Sequence, residues 1–176
     1  ARAALAGRVD GRLVDLRLPL DADAAIEIVT AKDPQGGAVI RHSAEHVMAD
    51  AVKRLFPAVP IDVGRTDHAE KFQYYFLIAR PFTPDDLARI EDEMRRIVAE
   101  NAGFERRVVS RAEAKALFES MGETLKVARL ADIPEGDDIT LFAHGGFVAL
   151  SRGPHVQRAD QIGAVKLLDA AGAYWK

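Results

Sequence analysis

The stretch Ile40-Arg41-His42-Ser43-Ala44-Glu45-His46 predicts the start of a helix that carries two histidines four residues apart. At about 100° per residue, His42 and His46 fall on one helical face. Apolar residues occupy the opposite side and are expected to meet a core; they are Val47, Met48, Ala51, Val52, Leu55 and Phe56. The two imidazoles are therefore expected to point away from that core, towards water or a cleft. Pro57 should end the helix.

Composition limits the class of protein. The chain has 176 residues, of which 48% are hydrophobic and 29% charged, so it can bury a globular core. No apolar run approaches the roughly 18 residues of a membrane span and no secretory signal pattern is seen, which predicts a soluble, cytoplasmic protein without a membrane partner. The absence of cysteine excludes disulfides and leaves histidine, carboxylate and hydroxyl groups as metal ligands. The net charge of −3 argues against a broad surface for duplex nucleic acid.

The first 35 residues predict a small β module. Short extended segments flank an Asp10-Gly11 turn, which is typical of a hairpin, and residues 25–29 predict one more strand. So few residues cannot build a core alone, and the chain has no initiator Met, so we expect a fragment of a longer protein. Lys32 to Gly37 is typical of a linker. We predict a domain boundary near residue 36, with domains at 1–35 and 36–176.

The larger domain alternates strand and helix patterns. A helix capped by Thr83 and another capped by Ser110 are predicted, whereas Glu123 to Leu130 is ambiguous. Predicted strands are residues 61–63, 72–78, 104–109, a hairpin of 139–143 with 147–150, and a final strand over 164–168. This order indicates an α+β domain with an antiparallel sheet and packed helices. Neither a phosphate-binding glycine loop nor a G-x-S-x-G elbow is present.

Two spaced pairs of polar residues suggest a site. The pair His42 and His46 alone is a weak signal, because a solvated polar face would give the same spacing. Ser151 and His155 repeat the spacing, and the Gly153-Pro154 turn between them can aim both side chains in one direction. Three imidazoles and a hydroxyl can ligate Zn²⁺, through His42, His46 and His155, or position water for hydrolysis. The spacing leaves both alternatives open.

Five motifs resemble those of bacterial threonyl-tRNA synthetases in order and spacing. They are Ala6 to Gly11, Thr30 to Asp33, Arg41 to His46, Arg152 to His155 and Ala171 to Trp175. The resemblance covers essentially the whole chain. It implies that residues 1–35 are the C-terminal part of a β-grasp (TGS) module and that residues 36–176 are an editing domain of the threonyl/alanyl-tRNA synthetase type. Such a domain hydrolyses serine mischarged onto threonine tRNA, and the aminoacylation domain would lie outside this chain.

The resemblance also implies roles for individual residues. The catalytic set would be His42, His46, Lys126 and His155, and the substrate contacts would be Tyr75, Ala149, Ser151 and Arg152. We expect Lys126 to stabilise developing negative charge and a histidine to orient or deprotonate water. Editing is needed because one missing methyl is worth only about 1–3 kcal/mol of discrimination. In a purely structural interpretation, Lys126 is a surface lysine and Tyr75 a core residue.

This chain departs from the family at two positions. Ala149 and Ser151 stand where the family usually has Asp and Cys, which removes a candidate base and replaces a soft metal ligand with a poor one. We therefore expect no metal cofactor.

The first implied partner is the 3′ end of tRNA(Thr) carrying serine, which Arg152 and Arg106 or Arg107 would contact. The second is the rest of the synthetase. A homodimer would form through the missing domains. The competing hypothesis is an editing-impaired module that binds the tRNA acceptor end or braces the synthetase. A freestanding alanyl-type editing protein is a third, against which the β module and the Ala171 to Trp175 ending argue.

Overall fold

Three small antiparallel sheets and four α-helices make up the described part of the chain, residues 3–65 and 67–172 of this computed structural model. The elements in order are β1 Ala4–Val9, β2 Arg12–Val14, β3 Ile26–Thr30, α1 Pro34–Leu55, β4 Ile61–Gly64, β5 Tyr74–Phe76, α2 Pro84–Glu100, β6 Phe104–Val109, α3 Arg111–Ser120, α4 Thr124–Arg129, β7 Ile139–His144 and β8 Phe147–Leu150. The predicted α+β class with antiparallel pairing is confirmed. None of the helices in these residues is long and apolar enough to cross a membrane.

The first sheet has the order β2-β1-β3 and contains the predicted hairpin. Asp10 and Gly11 adopt φ values of 46° and 81°, which a two-residue hairpin turn requires and which Gly accepts without strain. Leu5, Ala6 and Val29 are buried and join the hydrophobic cluster that includes residues of α1 and α2. The boundary predicted near residue 36 stays a prediction.

Helix α1 begins six residues before the predicted start. Pro34 occupies the first turn, where its missing N–H is not needed, so residues 34–37 are helical and the predicted linker is wrong there. Gly36 is required by packing, because a Cβ at this position would lie 2.0 Å from the carbonyl oxygen of Thr30. The predicted end of the helix before Pro57 is confirmed.

Both faces of α1 are covered, contrary to the expectation that the histidine face would point away from a core. Every residue from 43 to 52 is buried. The apolar stripe packs in the cluster that includes Ile90, Met94 and Ile97 of α2. His46, only 4% exposed, packs against Phe104 and Phe147 of a second layer. The pattern of one helix could not reveal that second layer.

The second layer is the sheet β6-β7-β8, in which Phe104 pairs with His144 and His144 pairs with Phe147. Because side chains alternate along a strand, this pairing puts all three rings on the sheet face towards α1. The opposite face carries Ile139 and Leu141, which form a separate cluster with α3. The predicted hairpin over residues 139–150 is confirmed.

The remaining predicted elements are two capped helices, the ambiguous segment 123–130 and a C-terminal strand. The capping boxes at Thr83 and Ser110 are both formed, as predicted, and the ambiguous segment 123–130 contains α4. The predicted strand over residues 164–168 is wrong. Its backbone pairs with no strand, and the amide of Leu167 instead donates to the carboxylate of Glu91 at 3.0 Å. Residues 173–175 of the terminal motif lie outside the described residues.

Candidate functional site

All five histidines of the chain lie in one network of ring contacts, which we call the histidine cluster. The ring centroid of His42 is 4.4 Å from that of His68 and 4.1 Å from that of His155. His46 is 5.1 Å from His155 and 5.0 Å from His144. Sequence reasoning found three members and missed two: His144 arrives through strand register, and His68 lies in a loop with no pattern to mark it.

The hydroxyl of Ser151 lies between two imidazoles. Its Oγ is 2.9 Å from Nε2 of His155 and 3.2 Å from Nε2 of His42, and it accepts the backbone N–H of Gly153 at 3.2 Å. Gly153 has φ +68°, and a Cβ there would lie 2.7 Å from the ring of Phe142. The turn therefore needs glycine, and it brings Ser151 and His155 together.

Ser43 fixes the tautomer of His155. Its Oγ lies 2.9 Å from the carbonyl oxygen of Val39, 3.2 Å from Nδ1 of His155, and accepts the N–H of Val156 at 2.9 Å. A serine has one proton to donate, and the Val39 carbonyl can only accept. Nδ1 of His155 is therefore the protonated nitrogen, and Nε2 is left as the acceptor facing Ser151.

Three imidazoles of the cluster, those of His42, His46 and His155, are neutral at pH 7. Burial lowers the pKa of His42 to about 4, helped by the neighbouring His68. Burial, and then the surrounding imidazoles, also hold the pKa values of His46 and His155 well below the ordinary value. Neutral imidazoles can accept a proton or bind a metal ion.

Lys126 is a buried cation beside the cluster, so the interpretation as a surface lysine is wrong. It is 1% exposed, and its Nζ lies 5.2 Å from the ring centroid of Phe147, whose ring also contacts His46. Within the described part of the chain, Nζ forms no hydrogen bond, and its nearest acidic group is Glu123 at 3.9 Å. Burial lowers the pKa of Lys126 to about 8, although Glu123 opposes the shift.

Two of the four predicted substrate contacts, Ala149 and Tyr75, lie outside the histidine cluster. Ala149 is 1% exposed and packs with Ala49 and Ile61, so it is an apolar residue beneath the cluster. Tyr75 is 40% exposed, on the side of β5 opposite to Tyr74, so the interpretation as a core residue is wrong and the structure does not bring it to the cluster.

Two cavities lie on either side of the turn at Gly153-Pro154. One, of about 430 Å³, is lined by residues that include Pro34, Gln35, Asp67, and His42 and His68 of the histidine cluster. The other, of about 300 Å³, is lined by Arg106 and Arg152 among others. Arg107 does not line it and pairs with Glu105 at 2.8 Å. The turn thus separates an imidazole-lined opening from an arginine-lined one.

The metal set predicted from sequence differs from the set that the fold assembles. His155 is fully buried, has both ring nitrogens at hydrogen-bond distance from serine hydroxyls and does not line the larger cavity, whereas His42 does. Among residues 3–65 and 67–172, the imidazole and carboxylate groups that converge are those of His42, Glu45 and His68, with ligand atoms within 4.8 Å of one another. Glu45, one turn after His42 on the same helix, was missed although the i, i+3 spacing marks it.

Similarity to known proteins extends over the whole chain. It is 46% identical over 176 residues to a protein of Coxiella burnetii and 47% identical over 176 residues to one of Methylococcus capsulatus, both named threonine–tRNA ligase. The chain is homologous to threonine–tRNA ligases. A Burkholderia multivorans threonine–tRNA ligase matches at 46% over 177 residues.

The chain spans only about a quarter of the threonine–tRNA ligases it matches, 27% or 28% of their length. No protein-family model matches it. The resemblance to threonyl-tRNA synthetases is confirmed at the level of the ligase, whereas the TGS and editing assignments stay predictions.

Proposed function

We propose that this chain is the editing part of a threonine–tRNA ligase and hydrolyses the ester of seryl-tRNA(Thr), releasing serine and tRNA(Thr). The observation that carries the proposal is the Ser151 hydroxyl held between the Nε2 atoms of His42 and His155. A hydroxyl and two neutral imidazoles at one opening are the groups that ester hydrolysis by a positioned water needs. Similarity to threonine–tRNA ligases supports this choice of ester.

In the proposed reaction, His42, which lines the larger cavity, takes a proton from water as the water oxygen bonds to the ester carbonyl carbon and the C–O bond to the tRNA breaks. His155 orients the Ser151 hydroxyl beside it. The proton ends on the 3′-terminal ribose oxygen, so that one water is consumed for each ester cleaved. Lys126, with a pKa of about 8, is mostly protonated at pH 7 and supplies positive charge next to the cluster. His46 supports the geometry from beneath, between His155 and Phe147.

The tRNA end is proposed to reach the site across the Gly153-Pro154 turn. Arg106 and Arg152 line the adjoining cavity and can neutralise backbone phosphates, which position a nucleic acid without reading its sequence. The remainder of the ligase would hold the rest of the tRNA. Cytoplasmic location stays a prediction.

The test uses a ligase containing this chain, charged separately with serine and threonine on tRNA(Thr). We expect serine release from seryl-tRNA(Thr) while threonyl-tRNA(Thr) is spared. Ser151→Ala and His42→Gln should each reduce release by at least about tenfold, as removal of a positioned general base or its partner does. His46→Ala should abolish it. Release no faster than the uncatalysed rate would contradict the proposal.

A module that binds the acceptor end without hydrolysing the ester is the second candidate. It is favoured by Ala149, a buried apolar residue on the sheet face beneath the cluster, which supplies no carboxylate to the site. Tight tRNA binding with no release of serine would select this alternative.

A further inference from the structure

Glu45 is a buried carboxylate held in one orientation. It is 3% exposed, and its Oε2 accepts the backbone N–H groups of Arg65 at 3.1 Å and Gln73 at 3.0 Å. The space for the carboxylate exists because residue 64 is glycine, since a Cβ there would lie 1.6 Å from Oε1. In the described part of the chain, no Lys or Arg side chain forms an ion pair with it; its one ion-pair neighbour is His68. A buried carboxylate without a cationic partner is costly.

His68 presents an unsatisfied nitrogen to this carboxylate. Its side chain is 9% exposed, stacks on His42, and is anchored by Arg41, whose Nε donates to the His68 carbonyl. Nε2 of His68 lies 3.2 Å from Oε2 of Glu45, yet within residues 3–65 and 67–172 it has no hydrogen-bond partner of acceptable geometry. Two ligands of one tetrahedral metal ion, each about 2.0–2.1 Å from it, lie about 3.3 Å apart. The observed separation matches that value.

We infer that His42, Glu45 and His68 form a binding site for a divalent metal ion, and that Zn²⁺ fits it best. Their ligand atoms lie within 4.8 Å of one another. Two imidazoles and one carboxylate are the protein ligands of several hydrolytic zinc sites, which keep the fourth position open. The inference goes beyond the proposed ester hydrolysis; the two share His42, but metal binding is measured without reference to hydrolysis.

The donor set discriminates among metals. Mg²⁺ and Ca²⁺ take oxygen ligands, whereas imidazole nitrogen favours Zn²⁺ and its neighbours in the first transition row. The positive ion would neutralise the charge of Glu45.

The open position faces the larger cavity. His42 and His68 line it together with Asp67, an exposed carboxylate next to His68 in the chain. Water or Asp67 can therefore complete a four-coordinate site. The three ligand atoms lie within 4.8 Å of one another, so any pair wider than about 3.3 Å must approach by at most about 1.5 Å on binding.

The test measures metal binding directly, on chelator-treated protein without a histidine tag. Titration with Co²⁺ should give the visible absorption of a four-coordinate ion that saturates at one equivalent, and Zn²⁺ should displace it. His68→Gln and Glu45→Gln should each weaken Zn²⁺ binding at least about tenfold in a competition with a chromophoric chelator. Glu70→Gln is the matched control, because it removes an exposed carboxylate two residues from His68; it should bind like the native protein.

Both variants are expected to keep the native fold, so a loss of metal binding can be assigned to the lost ligand. Glu45→Gln keeps an oxygen that can accept the N–H groups of Arg65 and Gln73. His68→Gln keeps the backbone carbonyl that Arg41 anchors. Circular dichroism of the metal-free variants checks both folds, and if Glu45→Gln unfolds, His68→Gln alone decides. Native Zn²⁺ affinity in His68→Gln, or no saturable binding by the native protein, overturns the inference.

Discussion

Replacing Lys126 by Met is expected to raise the free energy of unfolding at pH 7. The Lys126 side chain is 1% exposed, and burial lowers its pKa from 10.5 to about 8. At about 1.4 kcal/mol for each pKa unit, keeping this charge in the folded protein costs about 3 kcal/mol. Met can fill the same space beside Phe118 and Phe147 without that cost. Loss of the contact with Glu123 offsets part of the gain, so we expect an increase of about 1–3 kcal/mol.

The pH dependence identifies the cause. The pKa of Lys126 is lower in the folded than in the unfolded chain, so the unfolded chain binds more protons between about pH 8 and 10.5. The contribution of Lys126 to the free energy of unfolding therefore rises with pH between about pH 8 and 10.5, and it is least favourable below pH 8. The Met variant lacks this contribution, so its advantage at pH 7 should shrink by about pH 9.5.

Urea denaturation at the two pH values measures both effects. Lys115→Met, at an exposed lysine on α3 that lies 3.7 Å from Glu119, is the matched control and should change stability by less than about 0.5 kcal/mol. A loss of more than about 1 kcal/mol in Lys126→Met at pH 7 would refute the reasoning. So would an advantage that is the same at both pH values.

Three further substitutions test other parts of the structure. Ser43→Ala removes the oxygen that His155 and a buried backbone amide use, so we expect a loss of about 1–3 kcal/mol in urea denaturation and slower serine release; unchanged values for both would show that Ser43 does not fix the tautomer. Gly64→Ala places a Cβ against the Glu45 carboxylate, so we expect the free energy of unfolding to fall by about 1–3 kcal/mol and the thermal midpoint to fall with it. A native midpoint would contradict this packing. Arg152→Ala should weaken tRNA(Thr) binding in a gel-shift titration and reduce its salt dependence, whereas equal weakening at all salt concentrations would exclude a phosphate contact.

Local chemistry explains which elements could be predicted. The Asp10-Gly11 turn and the capping boxes at Thr83 and Ser110 depend on residues within four positions of one another, so the sequence displays them directly. The same reasoning failed for Gly36, where the glycine serves a close approach to Thr30 and not flexibility. It also failed at Leu167, whose amide is bound by a side chain of α2.

The candidate site was predictable where repeated spacing marked it. His42, His46, Ser151 and His155 stood out by their i, i+4 pairs. The orientation of the His46 side chain could not be predicted, because the rings that bury it come from strands that lie about 60 to 100 residues further along the chain. His68 carries no local signal at all, and only the folded loop brings its imidazole to Glu45.

The confinement of every histidine to one cluster makes imidazole a site-specific probe in this protein. Isotope-labelled histidine would give NMR signals from the cluster alone, without background from the rest of the chain. A metal ion, a nucleotide or an amino-acid ester that enters the larger cavity would therefore be seen first through His42 and His68, which line it, and the order in which the other resonances shift would show how far its effect extends into the cluster.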